Sequence, residues 1–65
     1  MNMNERPDKV ITYQDSAGEW RWKRVAPNGE TIADSGEGYK DMNYCVQQAV
    51  RVNGMGCAYP PPEKQ

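Results

Sequence analysis

Hydrophobic and polar residues alternate along two short stretches of the chain, and the alternation predicts two β-strands. Residues 9–14 are rich in β-branched and aromatic side chains, which is typical of a half-buried pleated strand. In residues 19–26, Trp20 and Trp22 fall on one face and two basic residues fall on the other. Residues 15–18 include Asp, Ser and Gly, which favour a turn. The two strands are therefore expected to form a hairpin.

The length of this turn determines which side chains face each other across the hairpin. A four-residue turn over residues 15–18 pairs Tyr13 with Trp20. Two residues further from the turn, Ile11 pairs with Trp22. All four large side chains then lie on one face, and a slip by one residue would expose both Trp side chains. We therefore expect this register, with all four side chains in the core.

A second turn and a third strand follow. Residues 27–29 are Pro, Asn and Gly, which is typical of a type I turn closed by a glycine in the left-handed conformation. The third strand is expected over residues 30–34. The sequence leaves two registers for its pairing with the second strand, which differ by one residue. Ile32 faces Arg24 after a three-residue loop and Val25 after a four-residue loop.

A helix is predicted from residue 41 or 42 to residue 53. Two glycines, Gly36 and Gly38, break the sheet before it and are expected to adopt positive φ angles. Asp41 is a suitable N-cap. Helical spacing gives one apolar stripe. This stripe consists of Met42, Cys45, Val46, Ala49 and either Val52 or Asn53.

The two ends of the chain lie outside the predicted domain, which covers residues 9–54. Residues 1–8 are polar and are expected to be a disordered arm. Residues 55–65 form a tail in which three consecutive prolines favour polyproline II. Such a tail fits either a partner's aromatic groove or a free terminus, and we favour the free terminus.

Composition limits the chemistry that the chain can carry out. A chain of 65 residues forms one small domain, whose core is marginal without a disulfide, a metal or a second subunit. It has no His and two Cys, so one chain cannot build a four-ligand zinc site from these residue types. A disulfide between Cys45 and Cys57 is one alternative, but it is not expected in a reducing compartment. We expect no catalytic residues, no cofactor and no metal.

Charge and hydropathy bear on location and partners. The net charge of −1 argues against a strongly basic nucleic-acid surface. No apolar run approaches the roughly 20 residues that span a bilayer, and the first residues lack an apolar signal core. We expect a cytoplasmic protein without membrane contact. With three strands, one short helix and six Trp and Tyr residues, part of the aromatic surface is expected to be covered by a second subunit.

Several short motifs together resemble the YegP-like domain of unknown function, a bacterial and archaeal module. The matching pieces are Trp20-Arg21-Trp22, Asn28-Gly29-Glu30, residues 33–39 and the helix after them. The resemblance implies an antiparallel three-stranded β-meander followed by one packed helix, an α+β fold of two layers. Because this chain carries one copy of a domain that often occurs in tandem, the resemblance also implies a homodimer. Two residues depart from the family pattern: Arg24 stands where the family usually has an apolar residue, and Ala49 stands where it usually has a larger aliphatic one.

Three sets of residues are expected to matter. The core or dimer contacts are expected to be Ile11, Tyr13, Trp20, Trp22, Ile32, Tyr39, Cys45, Val46 and Ala49. The turn residues are Asn28, Gly29, Gly36 and Gly38. The candidate partner-binding residues are Arg21, Lys23, Arg24 and Arg51.

These expectations together favour a non-enzymatic homodimeric module that binds another macromolecule, most simply a protein. Its small size also suits an accessory protein of a phage or mobile element, for instance one that blocks a host defence complex. The alternative is a nucleic-acid-binding accessory protein that uses the basic face of the second strand. A salt-dependent shift of labelled DNA or RNA distinguishes the alternative.

Overall fold

The chain folds as one antiparallel sheet with a single helix packed on it. The computed structural model describes residues 6–63, so residues 1–5 of the predicted arm (residues 1–8) and the last two residues of the tail lie outside the described residues. The elements are, in chain order, β1 (Lys9–Gln14), β2 (Trp20–Val25), β3 (Thr31–Asp34) and α1 (Met42–Asn53). The strands lie in the order β1-β2-β3, which confirms the predicted α+β meander followed by one helix.

The core lies between α1 and the first two strands. Its buried hydrophobic side chains are Val10, Trp20, Trp22, Cys45 and Ala49. Tyr39, Met42 and Cys57 are partly buried against them, and Val46 is half-buried. Because an aromatic side chain can bury roughly 150–250 Å² of surface, each of the two Trp side chains contributes more apolar surface to the core than Val10, Cys45 or Ala49 does.

The first hairpin has a register that differs by one residue from the prediction. Trp22 lies opposite Thr12, and Trp20 lies opposite Gln14. Side chains on alternate residues of a strand share a face. Val10 and Thr12 therefore lie on the helix side of the sheet with the two Trp side chains, and both are buried.

Ile11 and Tyr13 lie on the opposite face of the sheet. Ile11 pairs with Lys23, and Tyr13 pairs with Arg21. The prediction that Ile11 and Tyr13 share a face with the Trp pair is therefore wrong. Both side chains are half-buried, although the helix does not cover this face.

The carboxylate of Asp15 explains this shift. Its Oδ1 accepts hydrogen bonds from the backbone N–H groups of Ala17 and Glu19, both at 2.9 Å. The backbone N–H of Asp15 donates to the carbonyl of Glu19 at 2.8 Å, so Asp15 and Glu19 already pair with each other. The loop is thus reduced to residues 16–18, and Gly18 closes it with φ +83°. A loop one residue shorter than expected moves every later pair by one.

The second hairpin has a three-residue loop, one of the two alternatives that the sequence left open, and an unexpected bulge. The N–H of Ala26 donates to the carbonyl of Glu30 at 2.8 Å, which leaves residues 27–29 as the loop, and Gly29 has φ +95°. The register then shifts within the strand pair: Val25 pairs with Thr31, and Arg24 pairs with Ala33.

Ile32 is the extra residue of this bulge. It faces neither Arg24 nor Val25, so both predicted pairings are wrong. Its side chain is 54% exposed, and it lies outside the core that the sequence assigned to it. A bulge bends and twists the strand that carries it, and helix α1 makes no contact with β3.

The two glycines between β3 and α1 have different structural roles. Gly36 has φ +75°, as expected, whereas Gly38 does not have a positive φ. A Cβ atom on Gly38 would lie 2.8 Å from the Cβ of Glu19, closer than real side chains approach. Gly38 therefore lets the chain pass against β2, just before Tyr39 exchanges two backbone hydrogen bonds with Trp20 at 2.7 and 2.8 Å.

Helix α1 has the predicted bounds and cap. The Asp41 carboxylate accepts a hydrogen bond from the backbone N–H of Tyr44 at 2.9 Å. At the other end, the N–H of Gly54 donates to the carbonyl of Val50. Val52 is 65% exposed, so the apolar stripe ends on the half-buried Asn53 instead.

The C-terminal tail runs parallel to β1 along its outer edge. Bridges join Lys9 to Ala58 and Tyr13 to Glu63. The expectation of a free terminus is therefore wrong for residues 58–63. The edge of β1, which the sequence left uncovered, is occupied by the chain's own tail.

Candidate functional site

Strand β3 is the least covered element of the sheet. All four of its residues are exposed. Helix α1 contacts β1 and β2 but not β3. Among residues 6–63, no segment pairs with the outer edge of β3, so every second N–H and C=O group of this strand faces outward. Such an edge is a template for pairing with another strand.

The side chains of β3 make this edge partly apolar. Ile32 exposes more than half of its surface from the bulge. Asp34 lies opposite Lys23, and Thr31 lies opposite Val25. The only carboxylate of β3 is thus at one end of the strand, and its apolar residues are in the middle.

The sheet face opposite the helix is a second surface, which we call the open face. It is formed by Ile11, Tyr13, Arg21, Lys23 and Val25, all of them half-buried. The Nζ atom of Lys23 lies 5.3 Å from the centroid of the Tyr13 ring, within cation–π distance. The open face therefore combines apolar side chains with basic ones, and its apolar part, Ile11 and Tyr13, was not predicted to lie there.

Two of the four candidate basic residues are bound to carboxylates. The Nε of Arg21 donates to Asp15 at 2.6 Å, and the Nε of Arg24 donates to Asp8 at 2.8 Å. The hydrogen bond from Arg21, helped by the backbone N–H of Glu19, lowers the pKa of Asp15 below its ordinary value. The same pairing raises the pKa of Arg21, and Asp8 raises the pKa of Arg24.

The four candidate basic residues do not form one surface. Arg21 and Lys23 lie on the open face, whereas Arg24 alternates to the helix side. There Arg24 also donates to the Asn53 side chain at 3.3 Å and so links β2 to the end of α1. Arg51 is exposed on α1 itself. Arg21 and Lys23 thus keep the basic face of β2, but the four candidate basic residues are divided among three parts of the molecule.

An aromatic pair that the sequence did not single out lies beside the entry to α1. The rings of Tyr39 and Tyr44 have centroids 5.4 Å apart and meet edge to face. Burial, together with the nearby Glu37, raises the pKa of Tyr39. Tyr44 is 49% exposed and precedes the buried Cys45, so it lies off the apolar stripe that predicted the core. No sequence signal separates it from an ordinary surface residue.

The described residues offer little for metal or thiol chemistry. Among residues 6–63, no group of three or more His, Cys, Asp or Glu side chains is arranged to hold a metal ion. Cys45 and Cys57 are free thiols, the first buried and the second half-buried. Burial raises the pKa of Cys45, which keeps this thiol protonated and unreactive. Within the same residues, no helix has the length and apolarity that crossing a membrane requires.

The fold and these surfaces define a small α+β domain built from a β-meander and one helix, in which no segment of residues 6–63 covers the outer edge of β3. Residues 15–54, which are 40 of the 65 residues, match the family described as a domain of unknown function (DUF1508). The chain belongs to this family. The matched region begins at the first turn and ends after α1, so β1 and the C-terminal tail lie outside it. The chain has no significant match among curated proteins or among solved structures.

Proposed function

We propose that the chain is a non-catalytic module that forms a homodimer through the outer edge of β3 and binds a protein partner through its open face. One observation carries the proposal, namely the difference between the two edges of the sheet. The edge of β1 is covered by the chain's own tail, whereas β3 has four exposed residues and no covering segment among residues 6–63. Strand edges of this kind are usually protected or paired.

A second copy is a suitable occupant of the β3 edge. Two β3 strands paired antiparallel about a two-fold axis would form one six-stranded sheet, with each copy contributing the same surface. A pairing centred on the middle of the strand brings Thr31 of one copy toward Asp34 of the other. The two Asp34 carboxylates then stay apart, and the exposed Ile32 side chains lie near the axis.

The dimer also bears on the partner surface. A two-fold axis perpendicular to the sheet would put both open faces on the same side, which doubles a surface that combines Ile11, Tyr13 and Val25 with basic side chains. Interfaces favour an aromatic and aliphatic centre with a polar rim. A protein with an exposed apolar patch bordered by carboxylates matches this chemistry.

Sedimentation velocity at micromolar concentration tests the dimer. We expect a mass of twice 7.4 kDa for the wild-type chain. Ile32→Glu introduces like charges beside the axis and should give monomers. Val52→Glu is the matched control, because it makes the same kind of change at a side chain of similar exposure on α1. A wild-type mass of 7.4 kDa would refute the dimer.

Capture from native lysate tests the partner surface. A partner retained by the wild-type chain and by Arg51→Glu, but lost with Lys23→Glu, supports the open face. Equal capture by all three chains would assign the interaction to another surface. Binding of labelled DNA that disappears with rising salt, in place of a protein partner, would favour the nucleic-acid alternative. Cytoplasmic location and a phage or mobile-element setting stay predictions.

A further inference from the structure

The outer edge of β1 is a built site for an extended backbone, because the C-terminal tail already occupies it. At one end, the N–H of Ala58 donates to the carbonyl of Asp8, and its carbonyl accepts from the N–H of Val10, both at 2.8 Å. At the other end, Glu63 donates to Thr12 at 2.8 Å and accepts from Gln14 at 3.1 Å. All four bonds are backbone to backbone, so they do not require the tail's own side chains.

The tail is a poor strand between these two ends. Residues 60–62 are prolines, which have no N–H to donate to β1. Five residue steps from Ala58 to Glu63 span the same length of edge as four steps from Lys9 to Tyr13. The tail therefore holds β1 at two points and departs from regular pairing between them. In a regular parallel pair the residue two positions after Ala58 would donate, and here that residue is Pro60.

The tail is also held by few side chains. Pro61, Pro62 and Glu63 are exposed, and Ala58 and Pro60 are half-buried. The hydroxyl of Tyr59 donates to the carbonyl of Gly54, which lies just before the tail, so this bond does not attach the tail to β1. Because proline has a fixed φ angle, ordering residues 60–62 costs less backbone entropy than ordering other residues would, which fits the small number of contacts that hold the tail.

We propose that the outer edge of β1 is a binding site for an extended peptide running parallel to the strand, and that residues 58–63 are its resident, displaceable occupant. The fitting partner is a strand-forming segment without proline at its centre. Such a peptide would form the same four backbone hydrogen bonds at the two ends of the site, and it would add backbone N–H donors where the tail has prolines. Peptide addition to a sheet edge gains its affinity from such main-chain bonds. This site lies at the opposite edge from β3 and is independent of the dimer.

A full-length variant with an opened edge provides the test. Ala58→Pro combined with Glu63→Pro removes the two tail N–H groups that donate to the carbonyls of Asp8 and Thr12. Ala58→Ser combined with Glu63→Ala is the matched control, because it changes the same positions and keeps both N–H groups. The probe is a labelled synthetic peptide of residues 57–65 carrying Cys57→Ser, Pro60→Thr, Pro61→Thr and Pro62→Thr, and fluorescence anisotropy measures its binding.

We expect the opened variant to bind this peptide at least tenfold more tightly than the wild-type chain does, and the control variant to behave like the wild type. The same peptide with its three prolines restored should bind the opened variant more weakly than the Thr peptide. A nitroxide at the peptide's N-terminus should broaden NMR signals near Lys9 more than those near Gln14, as parallel pairing requires. Equal affinity of the opened and wild-type chains, or broadening centred on Gln14, would overturn the proposal.

Hydrogen exchange on the wild-type chain keeps the proposal testable if the opened variant does not fold. A displaceable tail requires the amides of Ala58 and Glu63 to exchange at least tenfold faster than the slowest amides of β2, since the tail opens without global unfolding. Equal protection of the tail and of β2 would show that the tail is an integral strand and would overturn the proposal.

Discussion

Asp15 is the residue with the largest influence on the geometry of the sheet. Its carboxylate accepts two backbone N–H groups of the turn through Oδ1 and the Arg21 guanidinium through Oδ2. These bonds fix a loop over residues 16–18, and this loop places the Trp pair opposite Thr12 and Gln14. One ionised side chain thus connects turn length, strand register and the composition of the core.

Asp15→Asn should destabilise the fold at neutral pH and change its response to acid. Since the pKa of Asp15 is lowered in the folded chain, the folded state binds fewer protons than the unfolded state near the ordinary carboxyl pKa of about 3.9. The stabilisation is therefore fully present above that pH and is lost as the pH falls through the lower folded pKa.

Urea unfolding of both chains between pH 7 and the acid range measures the effect. We expect the free energy of unfolding of the wild-type chain to fall more steeply below about pH 4 than that of Asp15→Asn. Asp34→Asn, at an exposed carboxylate on β3, is the control and should follow the wild type. Parallel pH profiles for the wild-type chain and Asp15→Asn would contradict the assignment.

Gly38→Ala should be more disruptive than its small size suggests. The added Cβ would lie 2.8 Å from the Cβ of Glu19, so the backbone before Tyr39 must move. Overpacking of this kind costs about 1–3 kcal/mol in the free energy of unfolding. In a Glu19→Gly background the same change should cost less, because the clashing side chain is absent. Equal costs in the two backgrounds, measured by urea unfolding, would contradict a steric origin.

At the scale of elements, the features that depend on neighbouring residues could be predicted from the sequence. The bounds of α1 followed from Asp41 as the cap, an apolar stripe and a final Asn-Gly, and all of these act within the helix. The position of β3 and its loop also followed from neighbouring residues. The bulge at Ile32 did not, because it depends on how β2 and the connection to Tyr39 satisfy their backbone groups together.

The position of the C-terminal tail depends even more on contacts between residues that are distant in the sequence. Three consecutive prolines argue against a strand, and only the outermost edge of a sheet tolerates them. The four hydrogen bonds of the tail join residues about 50 positions apart in the chain, so no sequence window contains both partners. The same is true of the candidate surfaces. The alternation of residues along β2 predicted that Arg21 and Lys23 share a face, whereas the ion pair between Arg24 and Asp8 depends on the tertiary fold.

Asp41→Ala tests the contribution of the helix cap. The carboxylate of Asp41 satisfies the backbone N–H of Tyr44, which has no partner within the helix. Removing an Asp cap costs about 1 kcal/mol, within a range of about 0.5–2 kcal/mol. Asn43→Ala, at an exposed position in the same turn, should change stability by less than about 0.5 kcal/mol. Equal losses for the two variants, measured by urea unfolding, would show that Asp41 does not act as a cap.

At the scale of the whole molecule, the core is small and leaves β3 outside it. Only five hydrophobic side chains among residues 6–63 are buried, and chains of this length are marginally stable when they fold alone. The helix covers β1 and β2, the tail covers one edge, and β3 contributes no buried residue. A partner at β3 would add burial where the single chain has least, so stability and oligomeric state should be linked.

This linkage predicts a thermal midpoint that depends on protein concentration. If the dimer dissociates when it unfolds, a tenfold increase in concentration stabilises each chain by about 0.7 kcal/mol, half of RT ln 10. For a domain of this size that raises the midpoint by about 3–6 °C. Circular dichroism melts at 10-fold spaced concentrations measure the shift. Ile32→Glu should melt at one temperature throughout the series, whereas Val52→Glu should keep the wild-type dependence. A wild-type midpoint that does not change with concentration would indicate that β3 contributes nothing to stability through association, and the uncovered edge would then need another occupant.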